Sequence, residues 1–233
     1  MKKYIFILLI IPFVFTAFDT YVNQHSSYDQ LLKKHVSVEG KVDYQSFKKD
    51  HTKLKAYINE LKSSPIERSV TQQKQLAYWI NLYNALTINL ILDHYPVKSI
   101  MDIDKAWDLP LVSINGSELT LNDIEHKIIR PKFNDPRVHF AVNCAARSCP
   151  KLLNEAYLGT KLEQQLDSQT RWFVNNKSFN QLTSSSVKVS KIFEWYRDDF
   201  GNLVSFLNRY SDLQIAGKSS VSYLEYDWSL NDK

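Results

Sequence analysis

Both cysteines of the chain lie in one short run, HFAVNCAARSCP, which extends from His139 to Pro150. Cys144 could act as a nucleophile if its thiol lost its proton, because the thiolate is the reactive form of cysteine. His139 lies nearby in sequence and could act as its base, and Arg147 adds a positive charge between the two cysteines. The run therefore predicts a thiol-dependent hydrolase or transferase that acts on an amide or thioester-like bond.

The same run permits other interpretations. Cys144 and Cys149 are close enough in sequence to form a disulfide across a turn, as paired thiols do in oxidising compartments. In that case the protein is a non-catalytic interaction module. A zinc site with His139 is less favoured, because zinc loops space their cysteines by roughly two to four residues and add a second pair. We therefore predict no metal and no cofactor.

A second pair of titratable side chains lies in the segment TLNDIEHKIIRP, which predicts a capped helix. At helical spacing Glu125 lies at the edge of the apolar stripe, whereas His126 lies on the polar side. Glu125 could orient His139, with His126 as a substitute base. Alternatively, Glu125 forms a structural salt bridge with Arg137.

Four polar residues are candidates for binding a small-molecule or peptide substrate. Arg137 and Arg147 could bind a substrate carboxylate, because the guanidinium fork matches that group. Asn81 and Asn84 lie in a helix that is otherwise apolar on nearly every side, and a buried amide must find hydrogen-bond partners. These two amides either clamp neighbouring loops or line the wall of the site.

The elements that must position these residues are mostly helical. The segment TQQKQLAYWINLYNALTINLILDHYP predicts a buried central helix, and HTKLKAYINELKSS predicts an amphipathic one. Asn115-Gly116 predicts a hairpin turn, and the alternation in RVHFAVN predicts a strand. Such a strand must bend near Asn143 if His139 and Cys144 are to share a face. The expected fold is α+β: a helix-dominated single domain with a buried central helix and a small antiparallel or mixed sheet.

Composition excludes several classes of function. Apolar residues make up 44% of the 233 residues, which is enough for a substantial core. The chain has five glycines and neither nucleotide-binding glycine fingerprint. Its net charge of +4 comes from scattered lysines and arginines, so no nucleic-acid partner is expected.

The first residues, MKKYIFILLIIPFVFTAF, have the layout of a signal peptide over residues 1–17. Two lysines precede an apolar run that is too short to cross a membrane, which takes roughly 20 residues. We therefore expect a periplasmic or secreted protein with no transmembrane span in the mature chain. The alternative is an uncleaved N-terminal anchor, because Phe15 does not suit a cleavage site after Ala17.

Four long motifs resemble the domain-of-unknown-function 547 family and occur in the family's order over residues 27–230. They are YWINLYNALTINLIL, LTLNDIEHKIIRPKFNDPRVHFAVNCAARSCPKL, SKIFEWYRDDF and YLEYDWSLN. The resemblance implies a single exported domain whose activity is unassigned, with a fold comparable to papain-like and transglutaminase-like thiol enzymes. The sequence departs from that plan, because Thr71, Gln72 and Gln73 stand where those enzymes open the buried helix with a cysteine.

Overall fold

The computed structural model describes residues 24–233, so the signal peptide predicted for residues 1–17 lies outside the described part of the chain. The structure begins with α1 (Ser26–His35), α2 (Tyr44–Phe47) and a 3-10 turn (Lys48–Asp50). The amphipathic helix follows as α3 (His51–Ser63), and all four apolar residues of its stripe are buried, as the spacing predicts.

The predicted central helix is α4 (Gln72–His94), and it is buried along most of its length. The Thr71 hydroxyl caps it by accepting a hydrogen bond from the Lys74 amide at 3.4 Å. Pro96 follows its end, where continuation would cost a backbone hydrogen bond. No helix within residues 24–233 is long and apolar enough to cross a membrane.

After a 3-10 turn (Ile100–Asp102), the predicted hairpin forms from β1 (Val112–Ile114) and β2 (Ser117–Leu119). Asn115 and Gly116 take positive φ angles of 51° and 81° in its turn. This backbone is the one that an Asn-Gly pair adopts most readily.

The next predicted helix is present but is wound differently over its first part. It forms a π-helix (Asp123–Ile129) that continues into α5 (Arg130–Phe133), and the amide of Arg130 donates to the carbonyl of Glu125, five residues earlier. The spacing of apolar residues predicts a helix with the α-helical period of about 3.6 residues per turn, so it could not predict the wider π winding. Short π segments occur frequently at functional sites.

The prediction of a strand for RVHFAVN is wrong. Residues Pro136–Phe140 form a 3-10 turn, and the Asp135 carboxylate caps it by accepting a hydrogen bond from the Arg137 amide at 2.9 Å. Proline at the first position has a φ angle that suits helical winding. Three successive residues of this turn, Val138 to Phe140, are buried, so the alternation in sequence does not reflect one exposed face.

The C-terminal part adds α6 (Leu162–Asn175), β3 (Gln181–Leu182) and β4 (Ser186–Val189), followed by α7 (Ile192–Trp195), α8 (Arg197–Phe200), α9 (Leu203–Tyr210) and β5 (Ser220–Tyr223). Strand β4 pairs antiparallel with β3 and parallel with β5. The result is the predicted helix-dominated α+β fold with a buried central helix and a small mixed sheet.

The apolar interior forms two clusters. The larger cluster surrounds α4, whereas the smaller one is rich in phenylalanine and includes Phe173, Phe193 and Phe206. The turn before the cysteines contributes to both, because Val138 packs in the larger cluster and Phe140 in the smaller one. The segment that leads to Cys144 therefore lies where the two clusters meet.

Two asparagines on α4 fix the loops that run beside this helix. Asn84 Nδ2 donates to the Ala141 carbonyl and its Oδ1 accepts from the Asn143 amide, both at 2.9 Å. Asn81 clamps the backbone of Tyr157 in the same way, at 2.8 and 2.9 Å. Each buried amide is thus satisfied by a loop backbone, which is the first of the two interpretations that the sequence allowed.

We predict that Asn84→Ala destabilises the fold, because it leaves the Ala141 carbonyl and the Asn143 amide buried without partners. Each unsatisfied group costs about 1–3 kcal/mol in the free energy of unfolding. Urea denaturation of the two proteins measures the difference.

Asn89→Ala is the matched control on the same helix, because the Asn89 side chain bonds His51 and Asp93 near the surface. It should cost about 1 kcal/mol or less. Equal losses in the two variants would show that the clamp does not stabilise the loop.

Candidate active site

A cavity of about 400 Å³ opens between the π-helix, α7 and two irregular stretches of the chain. We call these stretches the cysteine loop (residues 141–150) and the C-terminal segment (residues 224–233). All four predicted catalytic residues line the cavity: Glu125, His126, His139 and Cys144. Its volume lies within the range of small-molecule binding sites, and it sits where the two apolar clusters meet.

The two cysteines are free thiols whose sulfur atoms lie 3.0 Å apart. Cys144 is partly buried and lines the cavity, and the Tyr226 hydroxyl is 3.3 Å from its sulfur. Cys149 is buried, and its sulfur accepts a hydrogen bond from the Cys144 amide at 3.0 Å. Among residues 24–233, the polar groups that bond the Cys144 sulfur are the Cys149 thiol, the Tyr226 phenol and the Ala146 backbone amide.

These contacts make the two thiols unequal. The hydrogen bond from Cys149 lowers the pKa of Cys144, burial opposes it, and the Tyr226 hydroxyl and the Ala146 amide add to the lowering. Burial, together with the neighbouring Cys144, holds the pKa of Cys149 well above its usual value. Cys144 is thus the thiol that ionises first, and once it has ionised, the protonated Cys149 thiol can donate to it.

The loop that carries Cys144 is fixed from two sides. Asn143 is buried, and its side chain donates to the Pro150 carbonyl at 2.7 Å and accepts from the Ala145 amide at 2.9 Å. From the other side the C-terminal segment pairs with the loop, through the Arg147 amide and the Ser229 carbonyl at 2.8 Å. This pairing brings Tyr226 to the sulfur.

His139 forms a dyad with Asp199 of α8. The distance from Nε2 to the carboxylate Oδ2 is 2.7 Å, and Arg130 binds the same carboxylate with two nitrogens at 2.7 and 3.0 Å. Burial lowers the pKa of His139, and the bond to Asp199 offsets this only in part. The ring is therefore neutral near pH 7, with Nε2–H donating to Asp199 and a lone pair on Nδ1.

The expected contact between His139 and Cys144 is not formed. Nε2 is bonded to Asp199, and Nδ1 is buried without a hydrogen-bond partner in the described part of the chain. Both side chains face the same cavity, but the thiol is polarised by its own neighbours rather than by the imidazole.

Glu125 is buried beside Tyr196, whose ring stacks on His139 with centroids 3.9 Å apart. Burial raises the pKa of Tyr196. The Glu125 carboxylate raises it further, because its negative charge lies nearby and it accepts a hydrogen bond from the Tyr196 hydroxyl. Asp199, rather than Glu125, holds the imidazole. The alternative salt bridge to Arg137 is also absent from the described contacts, because Arg137 pairs with other carboxylates.

The remaining predicted residues lie at or beyond the edge of the site. His126 is exposed at the cavity, where its Nδ1 is 2.8 Å from a guanidinium nitrogen of Arg130. Arg137 lies outside the lining, bound to Asp135, Glu163 and Asp167. Arg147 faces a separate cavity on the other side of the cysteine loop. Asn81 and Asn84 also lie outside the lining and act through the loops that they clamp.

Several side chains of the site, above all Asp199 and Tyr226, could not be predicted from the sequence. Asp199 lies 60 residues after His139, so no local spacing relates the two. Tyr226 lies in the motif YLEYDWSLN, which the sequence identifies only through its resemblance to the family. In the described part of the chain, no group of three or more histidine, cysteine, aspartate or glutamate side chains could hold a metal ion.

Comparison with known proteins gives a match to one family model over part of the chain and no activity. No curated protein and no solved structure matches the chain. Residues 67–174 match the family model described as protein of unknown function, DUF547. The matched region includes α4, the π-helix and both cysteines, whereas Asp199 and Tyr226 lie beyond it. Over residues 67–174 the chain is therefore similar to the DUF547 family of proteins of unknown function, as its sequence motifs predicted.

Proposed function

We propose that the cavity is the active site of a thiol-dependent hydrolase or transferase, with Cys144 as its nucleophile. The observation that carries the proposal is the polarised Cys144 thiol at the wall of a cavity of small-molecule size. The substrate carries an amide or thioester-like bond and is a small molecule or a peptide end.

The thiol environment suits covalent catalysis. A nucleophilic cysteine needs a depressed pKa and access to a cavity, whereas a structural cysteine is buried and inert. Cys144 has both properties, whereas Cys149, which also lines the cavity, is more deeply buried and has a raised pKa. Cys149 then acts as a positioning residue that donates to the thiolate.

The reaction proceeds in two steps. The Cys144 sulfur attacks the carbonyl carbon, a C–S bond forms, and the amine or thiol leaves with the proton that the Cys144 thiol gave up. Water then attacks the acyl-cysteine, the C–S bond breaks, and the proton from water returns to the sulfur. In a transferase, an acceptor amine or thiol takes the place of water.

His139 serves as the proton carrier in this scheme. Its neutral ring has a free lone pair on Nδ1, and Asp199 fixes the tautomer by accepting from Nε2–H. Nδ1 takes a proton as the nucleophile attacks and returns it to the leaving group. A shift of the buried ring toward substrate is needed for this transfer, since catalytic contacts are often incomplete in ligand-free structures.

The short distance between the sulfurs favours one alternative, a non-catalytic module with a Cys144–Cys149 disulfide. Two free thiols 3.0 Å apart become a disulfide by exchange with a small disulfide, which takes up both electrons and both protons. Loss of a free Cys144 would remove the nucleophile.

Export is part of the proposal, and it motivates this alternative because exported thiols meet oxidants. The apolar run in residues 1–17 supports export. An N-terminal sequence that begins shortly after Ala17 in the mature protein would confirm it, and a protein retained in the cytoplasm with Met1 or Lys2 at its terminus would contradict it.

We expect Cys144 to react with iodoacetamide at lower pH than a free cysteine, which has a pKa of about 8.5, and Cys149 to react only at higher pH. Residue-resolved mass spectrometry measures both profiles.

Tyr226→Phe removes a donor to the Cys144 thiolate and should move the midpoint of Cys144 labelling to higher pH. Tyr223→Phe, outside the cavity lining, should leave it unchanged. Two cysteines that resist labelling until a reductant is added would support the disulfide module.

We also expect the reduced protein to release a burst of p-nitrophenol from p-nitrophenyl acetate and to carry one acetyl group on Cys144. Cys144→Ser should lose the burst and the acetyl adduct, whereas Cys149→Ser should keep both at reduced rate. A burst of the same size in Cys144→Ser would contradict the nucleophile assignment.

Asp199→Asn should lower kcat by roughly 10²–10⁴-fold, because the imidazole loses the group that fixes its tautomer. Asp199 raises the pKa of His139, so its removal should lower that pKa and move the acid limb of the pH–rate profile to lower pH. Asp198→Asn is the control, since Asp198 is an exposed neighbour on the same helix. If the acid limb of the pH–rate profile of Asp199→Asn lay at the same pH as that of the native protein, the ionisation of His139 would not be the cause of that limb.

A further inference from the structure

One wall of the cavity consists of four aromatic side chains, which we call the aromatic wall: Trp107, Trp195, Tyr226 and Trp228. The Tyr226 and Trp228 rings have centroids 4.5 Å apart, and Trp195 lies 5.7 Å from Trp228. Trp195 is 47% exposed. Tryptophan and tyrosine faces of this kind attract cations through the negative potential of their π-systems.

The formal charges that line the cavity are negative. Asp108 is exposed at the cavity and Glu125 is buried, and no lysine or arginine is among the lining residues described for it. His139 is neutral because burial lowers its pKa. His126 Nδ1 must accept a hydrogen bond from Arg130, since a guanidinium can only donate, so that nitrogen is unprotonated.

The nearest arginine, Arg130, is engaged mainly by Asp199 and acts more weakly on Glu125. Arg130 lies behind the Tyr196 ring and binds Asp199 with two nitrogens. Arg137 and Arg147, which the sequence suggested for a substrate carboxylate, lie outside the lining. A carboxylate in this cavity would therefore lack a charged partner, whereas a cation would have two.

We propose that the cavity binds a small organic cation of the alkylammonium class, placed over the aromatic wall and beside the carboxylates of Asp108 and Glu125. The inference rests on the proposed function in one respect, since it names the substrate class of the same site. The substrate then carries its positive charge near the bond that Cys144 attacks.

The position of Glu125 gives this charge a second effect. The Glu125 carboxylate acts electrostatically on Cys144 and disfavours the thiolate. A cation bound next to Glu125 offsets that repulsion, so the substrate itself would help to ionise the nucleophile. A neutral substrate of the same shape would lack this effect.

The test compares choline with 3,3-dimethylbutan-1-ol, a neutral molecule of nearly the same shape. Ligand-observed NMR titration of the full-length Cys144→Ala protein follows the methyl signals of both. We expect choline to bind about tenfold more tightly than the neutral alcohol, because its charge is attracted to the aromatic faces and to the two carboxylates. Equal affinities would overturn the proposal, and so would the absence of choline binding.

Two variants locate the site. Asp108→Asn and Trp195→Leu should each weaken choline binding several-fold, whereas Asp104→Asn and Trp172→Leu, both outside the lining, should not. An equal effect of the control variants would overturn the placement. Because Cys144→Ala cannot form an acyl-enzyme, binding here is independent of the reaction. Choline binding without acylation in the native protein would refute the proposed function alone, and acylation without choline binding would refute this inference alone.

Discussion

The site depends on two buried hydrogen bonds that Asn84 makes to the backbone of the cysteine loop. Helix α4 is apolar on nearly every side, so it forms the rigid centre of the larger cluster. An amide in such a helix needs partners, and here the loop provides both of them. The helix thereby fixes the backbone on the N-terminal side of Cys144, where a free loop would leave the sulfur mobile.

The rest of the site is assembled around this fixed loop from distant parts of the chain. The π-helix brings Glu125 and His126, α8 brings Asp199, and the C-terminal segment brings Tyr226. The two apolar clusters leave a cavity where they meet, and the cysteine loop forms part of its wall. The part that matches the DUF547 family contains the thiols and His139, whereas three of the four side chains of the aromatic wall lie beyond it.

The central helix, the amphipathic helix and the hairpin could be predicted because each has a local cause. An apolar face at helical spacing or an Asn-Gly turn is visible within a few residues. The π winding of residues 123–129 could not be predicted, since it depends on packing rather than on a local signal. The turn at Pro136–Phe140 carried a visible capping signal in Asp135-Pro136, but the alternation that follows suggested a strand.

The thiol could be located from sequence and its environment could not. Cys144 was suggested as the nucleophile by its neighbours in the chain, but the polarity of its thiol depends on its contact with Cys149 and on Tyr226, 82 residues away. The partner of His139 was misassigned to Glu125 for the same reason, because Asp199 approaches only in the folded chain. Arg137, which the sequence suggested for a substrate carboxylate, pairs with carboxylates outside the cavity, and Arg147 faces a separate cavity. This placement motivates the proposal of a cationic ligand.

The most direct test of a reactive Cys144 in a cation-binding cavity is to label it with two haloacetamides of similar size. One reagent carries a trimethylammonium group and the other a tert-butyl group, and free cysteine serves as the reference thiol. The account predicts that the cationic reagent labels Cys144 faster, with a rate that saturates as reagent is added. Labelling of Cys144 at the same relative rates as free cysteine, or no labelling of the reduced protein, would contradict it.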